Sequence, residues 1–267
     1  PDDPFTKALR GTYNDLEAQR RATLAALAPG RVAVAFGTGF TGRRAMGYGA
    51  IPWSYMDAYL TAYRGLLRGE TVEWEGKRMR MLHPSGHAPA RPVDVPVLVG
   101  ALGPKGNEVA KKHGDGLYVT LQLPEFMGSY SRVPYLAWGT VLDDGERVDS
   151  EHARLCGGPG WALAYHGAYE FGGPSAVREL PGGEEWLAVV DRMSPAERHL
   201  AVHSGHCVEL NEADQAAWDA GGHAILPDVT ISGTRDRVRD NLAGLAERGV
   251  TEIVFQPCGP DVKTELE

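Results

Sequence analysis

The chain has 267 residues, 43% of them hydrophobic, which is enough for one large domain or two ordinary ones and argues against general disorder. Its 27 basic and 35 acidic residues give a net charge of −8, which argues against a nucleic-acid-binding or anionic-membrane surface. Three widely spaced cysteines indicate neither a disulfide framework nor a zinc site, and no apolar run approaches the roughly 18 residues of a membrane span. The first residues lack the basic and apolar segments of a secretory signal, so we expect a cytoplasmic protein.

Strands and helices alternate along most of the chain. Several short segments are apolar on both faces, as parallel strands covered on both sides require, and helical patterns lie between them. This alternation indicates βαβ units and a parallel sheet. The predicted elements are a helix with Asn14 and Glu17 at capping-box spacing that ends at Pro29-Gly30, a strand at 31–36, a helix at 52–68, a β-hairpin at 71–81, a strand at 96–102, a short helix that ends at Gly114, strands at 115–120 and 135–142, a helix capped by Thr234, and a strand at 251–256.

The pattern weakens between residues 143 and 229. Several Gly-Gly and Gly-Pro pairs interrupt this segment, and short helices are predicted only around Trp186 and Trp218. No repeat or low-complexity linker separates it from its neighbours. We therefore expect a single domain over 1–267 with an irregular insertion at about 143–229.

A phosphate-binding turn is predicted at Gly103-Pro104-Lys105-Gly106, between a buried strand and a helix. A glycine turn that opens a helix exposes backbone N–H groups at the positive end of the helix dipole, and Lys105 adds a full charge. Proline suits the first helical turn because it has no N–H that would lack an acceptor. The alternative interpretation is an ordinary strand-to-helix turn, since neither a Walker A loop nor a G-x-G-x-x-G pattern is present.

A second glycine-rich turn, Gly37-Thr38-Gly39, follows the strand at 31–36. If both strands belong to one parallel sheet, their carboxyl ends lie at the same edge, where ligands bind in α/β proteins. The glycines would let a flat ring approach the backbone, and Thr38 or Arg43 would hydrogen-bond it. The alternative is that these glycines serve only the turn.

The sequence His203-Ser204-Gly205-His206 suggests a ligand pair or an acid–base pair, with Glu209 just beyond it. Histidine ligands on a helix need helical spacing, which Gly205 interrupts, so the main interpretation includes no metal. His203 and His206 are therefore candidate catalytic or substrate-contacting residues. The alternative is that both are structural histidines with satisfied hydrogen bonds.

Four motifs together resemble the bacterial luciferase-like monooxygenase superfamily, in particular its coenzyme F420-dependent branch of methylenetetrahydromethanopterin reductase-like proteins. The resemblance covers about 20–142 and 230–256. The segment between them matches no motif of that family. In chain order the motifs are RVAVAFGTG, YRGLLRGETVEWEG, VPVLVGALGPKGNEVAKKHGDGLYV and ISGTRDRVRDNLAGLAERGVTEIVF.

This resemblance implies a (β/α)8 TIM barrel with insertions and a cofactor at the carboxyl edge of its strands. The RVAVAFGTG strand corresponds to the fourth strand of that barrel, so we expect an N-terminally truncated, incomplete barrel with about five of eight parallel strands. The implied cofactor is coenzyme F420, with FMN as the alternative. The cofactor-binding residues that the resemblance implies are Thr38, Gly39, Arg43, Ala101, Leu102, Gly103, Pro104, Lys105 and Thr120, to which the turn analysis adds Gly106.

The leading functional hypothesis is an oxidoreductase or monooxygenase that transfers a hydride between a deazaflavin or flavin and a small organic substrate. The resemblance also implies a homodimer for the full-length protein. One alternative is a metal-dependent barrel hydrolase that uses His203 and His206. The other is a truncated, non-catalytic relative.

Overall fold

The computed structural model describes residues 17–83 and 89–266. The chain forms two compact units, the first made of Pro1–Gly39 and Ile51–Val133 and the second of Phe40–Ala50 and Pro134–Glu267. The prediction of a single barrel domain with an insertion stays a prediction. Asn14, half of the predicted capping box, lies outside the described residues.

The first unit contains a parallel sheet with helices between its strands. Its strand order is β1-β4-β5, and the register pairs Phe36 with Val99 and Gly100 with Tyr118. The sheet confirms the predicted βαβ pattern, with strands shorter than the apolar runs that predict them. The elements of this unit are α1 (17–27), β1 (Val34–Phe36), α3 (Trp53–Arg68), β2 (Val72–Trp74), β3 (Lys77–Met79), β4 (Val97–Gly100), α4 (Pro104–His113), β5 (Gly116–Thr120) and a 3-10 turn (Glu125–Ser129), while α2 (Phe40–Arg44) belongs to the second unit.

Helix α3 begins and ends where the sequence predicts. Pro52 is its N-cap, and Gly69 ends it with a φ of 83°, donating its N–H to the carbonyls of Gly65 and Leu66. The buried face includes Leu60, Tyr63 and Leu66, which recur at helical spacing. The predicted hairpin is also present, because β2 and β3 pair antiparallel around Glu75-Gly76.

The second unit contributes two further parallel pairs of strands. The predicted strand at 135–142 is divided, because the chain turns at Gly139 and the carbonyl of Trp138 accepts a hydrogen bond from Ile231 N instead. Helix α10 begins at its predicted cap, since the Thr234 side chain accepts from Arg237 N. The elements are β6 (Pro134–Ala137), β7 (Val141–Leu142), β8 (Gly233–Thr234), α10 (Arg235–Glu247), β9 (Glu252–Phe255) and α11 (Val262–Leu266), with β6 pairing β9 and β7 pairing β8.

The segment from 143 to 229 contains more helix than the sequence pattern predicts. The helices expected around Trp186 and Trp218 are present, but α5, whose sequence pattern is hidden by glycine and proline, is longer than either and is kinked at Gly173, where φ is 68°. Buried Trp161, Tyr165 and Trp186 form a core that overrides this low helix propensity. The helices are α5 (Gly158–Arg178), α6 (Gly183–Val190), α7 (Arg198–Val202), α8 (Glu212–Asp219) and α9 (Leu226–Val229), with a π-helical turn at Ala153–Gly157 and a 3-10 turn at Gly222–Ile225.

Strands β1, β4, β5, β6 and β9 confirm the predicted fold class, an α/β protein with about five of the eight strands of a (β/α)8 barrel. None of the helices in the described ranges has the length and apolar character that crossing a membrane requires.

Candidate functional site

Three strand ends meet at the carboxyl edge of the first unit's sheet. A Cβ built on Gly100 would lie 3.6 Å from the carbonyl oxygen of Phe36, 3.7 Å from that of Tyr118 and 4.0 Å from the Cα of Gly37. The segments that follow these strands therefore leave the sheet side by side. They carry the predicted residues Thr38, Gly39, Ala101, Leu102, Gly103, Pro104, Lys105, Gly106 and Thr120.

The turn after β1 is held in a conformation that favours glycine. Gly39 has a φ of 68° and is exposed. The Thr38 carbonyl accepts a hydrogen bond of 2.9 Å from Ile51 N, which ties the turn to the start of α3. The backbone conformation thus favours glycine here, apart from any ligand.

The turn after β4 presents a helix N-terminus. Gly103 is the N-cap of α4 and Pro104 its first residue. The first intrahelical bond of α4 runs from Asn107 N to Gly103 O at 3.0 Å, so the N–H groups of Lys105 and Gly106 precede the hydrogen-bonded part of the helix. A Cβ built on Gly103 would meet no described atom within 4 Å, and Lys105 is exposed beside this open space. Phosphate oxygens fit such a combination of free N–H groups, dipole and ammonium.

Gly106 has a packing role that the sequence does not reveal. A Cβ on Gly106 would lie 2.5 Å from Trp53 Cζ2 and 2.7 Å from Ala101 Cβ. The glycine therefore lets α4 approach the start of α3. Trp53 was missed by sequence reasoning, since nothing local connects it with a residue 53 positions later.

Ion pairs fix α4 against α3 at the opposite end. Lys112 Nζ lies 2.8 Å from Asp57 Oδ1, and the buried His113 contacts the same oxygen through Nε2 at 2.6 Å. Hydrogen bonds from Lys112 and His113 hold the pKa of Asp57 below its usual value. These contacts fix the direction in which the N-terminus of α4 points.

Arg43 belongs to the second unit, unlike the other predicted cofactor residues. Its Nε donates a hydrogen bond of 2.6 Å to the carbonyl of Gly49, and its guanidinium lies 5.2 Å from the centre of the Tyr48 ring. The Arg43 side chain thus contacts the Gly49 carbonyl and the Tyr48 ring.

His203 and His206 also lie in the second unit, where they contact His166 and one another. Burial lowers the pKa of His203, and burial together with the neighbouring histidines lowers the pKa of His206 to about 4. Both rings are therefore neutral near pH 7, which makes either a poor general acid. His166, Glu170 and Asp214 complete this cluster and were missed, because the helix that carries His166 and Glu170 was itself missed.

A cavity of about 500 Å³ lies at the opposite, amino end of the first unit's strands. Its lining includes Arg31, Val32, Pro96 and Arg132. We place the candidate site at the carboxyl edge instead, because ligands of parallel α/β sheets bind beyond the carboxyl ends of the strands.

Residues 16–129 match the family model of the luciferase-like monooxygenases. The chain is 23% identical over 231 residues to 5,10-methylenetetrahydromethanopterin reductase of Archaeoglobus fulgidus, an alignment that covers 81% of this chain and 64% of that protein. This chain thus spans less than two thirds of the length of its curated relative.

Two solved structures have a similar fold. Coenzyme F420-dependent tetrahydromethanopterin reductase from Methanopyrus kandleri is 19% identical with a TM-score of 0.56, over 95% of this chain and 76% of that one. An F420-dependent secondary alcohol dehydrogenase in complex with an F420–acetone adduct is 16% identical with a TM-score of 0.53, over 95% of this chain and 72% of that one. The chain is thus similar in sequence to luciferase-like monooxygenases over residues 16–129 and similar in fold to F420-dependent enzymes, which confirms the resemblance predicted from its motifs.

Proposed function

We propose that this chain is an oxidoreductase that binds coenzyme F420 at the carboxyl edge of β1, β4 and β5 and serves hydride transfer to or from a small organic substrate. The observation that carries the proposal is the adjacency of the three strand ends, two of which continue into glycine-rich turns. The F420-dependence in the names of both structural neighbours supports this cofactor over FMN.

The residues at this edge suit a phosphate-bearing, planar cofactor. The N–H groups of Lys105 and Gly106 and the Lys105 ammonium would bind a phosphate group, with the open space at Gly103 allowing close approach. The turn at Thr38-Gly39 would lie against the ring, since Gly39 has no side chain to obstruct it. When bound, the cofactor supplies the hydride chemistry, and this chain supplies orientation, electrostatics and exclusion of water.

Titration of the purified chain with F420, and separately with FMN, tests this proposal through the fluorescence of each cofactor. We expect F420 to bind more tightly than FMN. Lys105→Ala should weaken F420 binding by about 10- to 150-fold, equivalent to the roughly 1.5–3 kcal/mol of a hydrogen bond to a charged group.

The matched control is Lys111→Ala. Lys111 is exposed on the last turn of the same helix, away from the N-terminus, so its removal should leave the dissociation constant unchanged. Equal binding by Lys105→Ala and the unmodified chain would refute the assignment of the phosphate site. Tighter binding of FMN than of F420 would show that the cofactor is the flavin.

A further inference from the structure

Three histidines from two segments of the second unit converge. His166 lies on α5, His203 follows α7, and His206 lies in the next turn. Each offers one ring nitrogen, and these nitrogens all lie within 4.8 Å of one another. The Nδ1 atoms of His166 and His206 are 3.4 Å apart. Two nitrogens bound at about 2.0–2.1 Å to a tetrahedral zinc ion would lie about 3.3–3.4 Å apart.

The opposite nitrogens of two of these rings are already held by carboxylates. His166 Nε2 lies 3.0 Å from Asp214 Oδ1, and His203 Nε2 lies 3.2 Å from Glu170 Oε1. Donation of Nε2–H to these carboxylates leaves both Nδ1 lone pairs available. Carboxylates that orient histidines in this way are typical of metal sites.

His203 Nδ1 provides an independent indication of a ligand. Its side chain is only 4% exposed, and within the described part of the chain this buried nitrogen has no hydrogen-bond partner. A buried polar atom without a partner destabilises the folded state, so native structures satisfy nearly all such atoms. A metal ion bound among the three rings would satisfy it.

The two carboxylates that contact these rings each have further polar partners. Asp214 is fully buried and accepts hydrogen bonds from Trp186 Nε1 at 2.9 Å and from Asn211 N at 3.2 Å. Glu170 also pairs with Arg44 at 2.9 Å. Asp214 and Glu170 thereby orient the rings of His166 and His203, as outer carboxylates do in metal sites.

We propose that His166, His203 and His206 bind a divalent transition-metal ion of the zinc class, with a fourth coordination position left for water or another ligand. Three imidazoles suit zinc, copper and nickel rather than magnesium or calcium, which require oxygen ligands. The proposal does not depend on cofactor binding by the first unit.

A second cluster of histidine, cysteine and glutamate does not fit a metal site. His152, Cys156 and Glu265 also lie within ligand distance of one another. There, however, both ring nitrogens of His152 already contact carboxylates, Glu146 on one side and Glu265 on the other. Hydrogen bonds account for that cluster, since its histidine offers no free nitrogen.

The test uses the full chain without a histidine tag, stripped of metal by a chelator and dialysed. Titration with CoCl2 should give one equivalent of binding and the intense visible absorption of a four-coordinate Co²⁺ ion, and ZnCl2 should displace the cobalt. Calorimetry should give the same stoichiometry for zinc. The measurement is independent of enzymatic activity.

Variants then identify the ligands. His206→Ala should weaken zinc binding by at least 100-fold, and Asp214→Asn, which alters a positioning residue, by about 10- to 100-fold. His199→Ala is the matched control, because His199 lies on α7 close in sequence to His203 but outside the cluster, and its zinc affinity should not change. Far-UV circular dichroism establishes that each variant is folded.

Absence of stoichiometric zinc or cobalt binding by the unsubstituted chain would overturn the proposal, as would equal affinities of a folded His206→Ala variant and the unsubstituted chain. A weak cobalt spectrum typical of six-coordinate, oxygen-bound Co²⁺ would also overturn it. Because the first and last of these outcomes use the unsubstituted chain, the test holds even if a variant fails to fold.

Discussion

At the scale of single residues, Gly39 has two possible roles: it allows the backbone conformation of the turn, and it leaves room for a cofactor ring. Its φ of 68° strains most other residues, and a β-branched residue there would cost about 1–2 kcal/mol or more. Asparagine tolerates this region better than other residues with a side chain. The comparison of Gly39→Asn with Gly39→Val therefore distinguishes the two roles.

If a ring packs on the turn, both variants should bind F420 more weakly, although Gly39→Asn keeps nearly the same free energy of unfolding. If the glycine serves only the turn, Gly39→Asn should bind F420 normally. Cofactor fluorescence titration and urea denaturation measure the two effects separately. Normal binding by a folded Gly39→Asn variant would contradict our placement of the ring.

Gly106 and Gly103 are three residues apart, but we expect an added side chain to destabilise the folded chain only at Gly106. Gly106→Ala should lower the free energy of unfolding by about 1–3 kcal/mol, because its Cβ would overlap Trp53 and Ala101. Gly103→Ser is the control, since its Cβ enters open space and serine is a good N-cap, so stability should be kept. Urea denaturation checks both, and an unchanged Gly106→Ala variant would show that α3 and α4 can separate without cost.

At the scale of elements, the contact of Asp57 with Lys112 and His113 joins α3 to α4 in a pH-dependent way. The pKa of Asp57 is lowered from 3.8 in the folded state. The stabilisation is therefore fully present above pH 4 and is lost as the pH falls through the lower, folded-state pKa. Because Lys112 and Asp57 are partly exposed, we expect the contribution to be under about 1 kcal/mol.

Asp57→Asn should accordingly be less stable than the unsubstituted chain at pH 7, and this difference should shrink as the pH falls below 4. Denaturant unfolding between pH 7 and pH 3 measures it. Glu108→Gln, which removes a highly exposed carboxylate from α4, is the control and should change stability little at either pH. A difference that is constant with pH would show that packing, not charge, links Asp57 to α4.

At the scale of the whole molecule, the outer strands β1 and β9 differ in the exposure of their apolar side chains. In β9, Ile253 and Val254 are each 39% exposed, although side chains of successive strand residues point to opposite faces. Strand β1 differs, because the Phe36 ring packs against Tyr59 and Tyr63. The tendency to associate through a strand edge should therefore be greater at β9.

Ile253→Lys should reduce self-association of the chain, as measured by light scattering over a concentration series, while changing the free energy of unfolding by less than about 0.5 kcal/mol. Ala243→Lys on the exposed surface of α10 adds the same charge away from the strand and is the control. Equal scattering by the two variants would show that net charge, not the β9 edge, controls association.

The sequence by itself determined the features that depend on neighbouring residues. The α/β class, the limits of α3 at Pro52 and Gly69, the hairpin and the glycine turn before α4 all follow from local periodicity and from the backbone preferences of glycine and proline. Strand lengths were overestimated, because an apolar run continues beyond the residues that find a pairing partner.

Only the tertiary structure decided which distant residues meet. Helix α5 forms in a glycine-rich segment because burial of Trp161 and Tyr165 outweighs its weak helix propensity. That helix brings His166 to His206 across 40 positions of sequence. The spacing of His203 and His206 by itself does not indicate a metal site. The third histidine of the cluster, His166, comes from α5, and the formation of α5 depends on packing and not on local sequence.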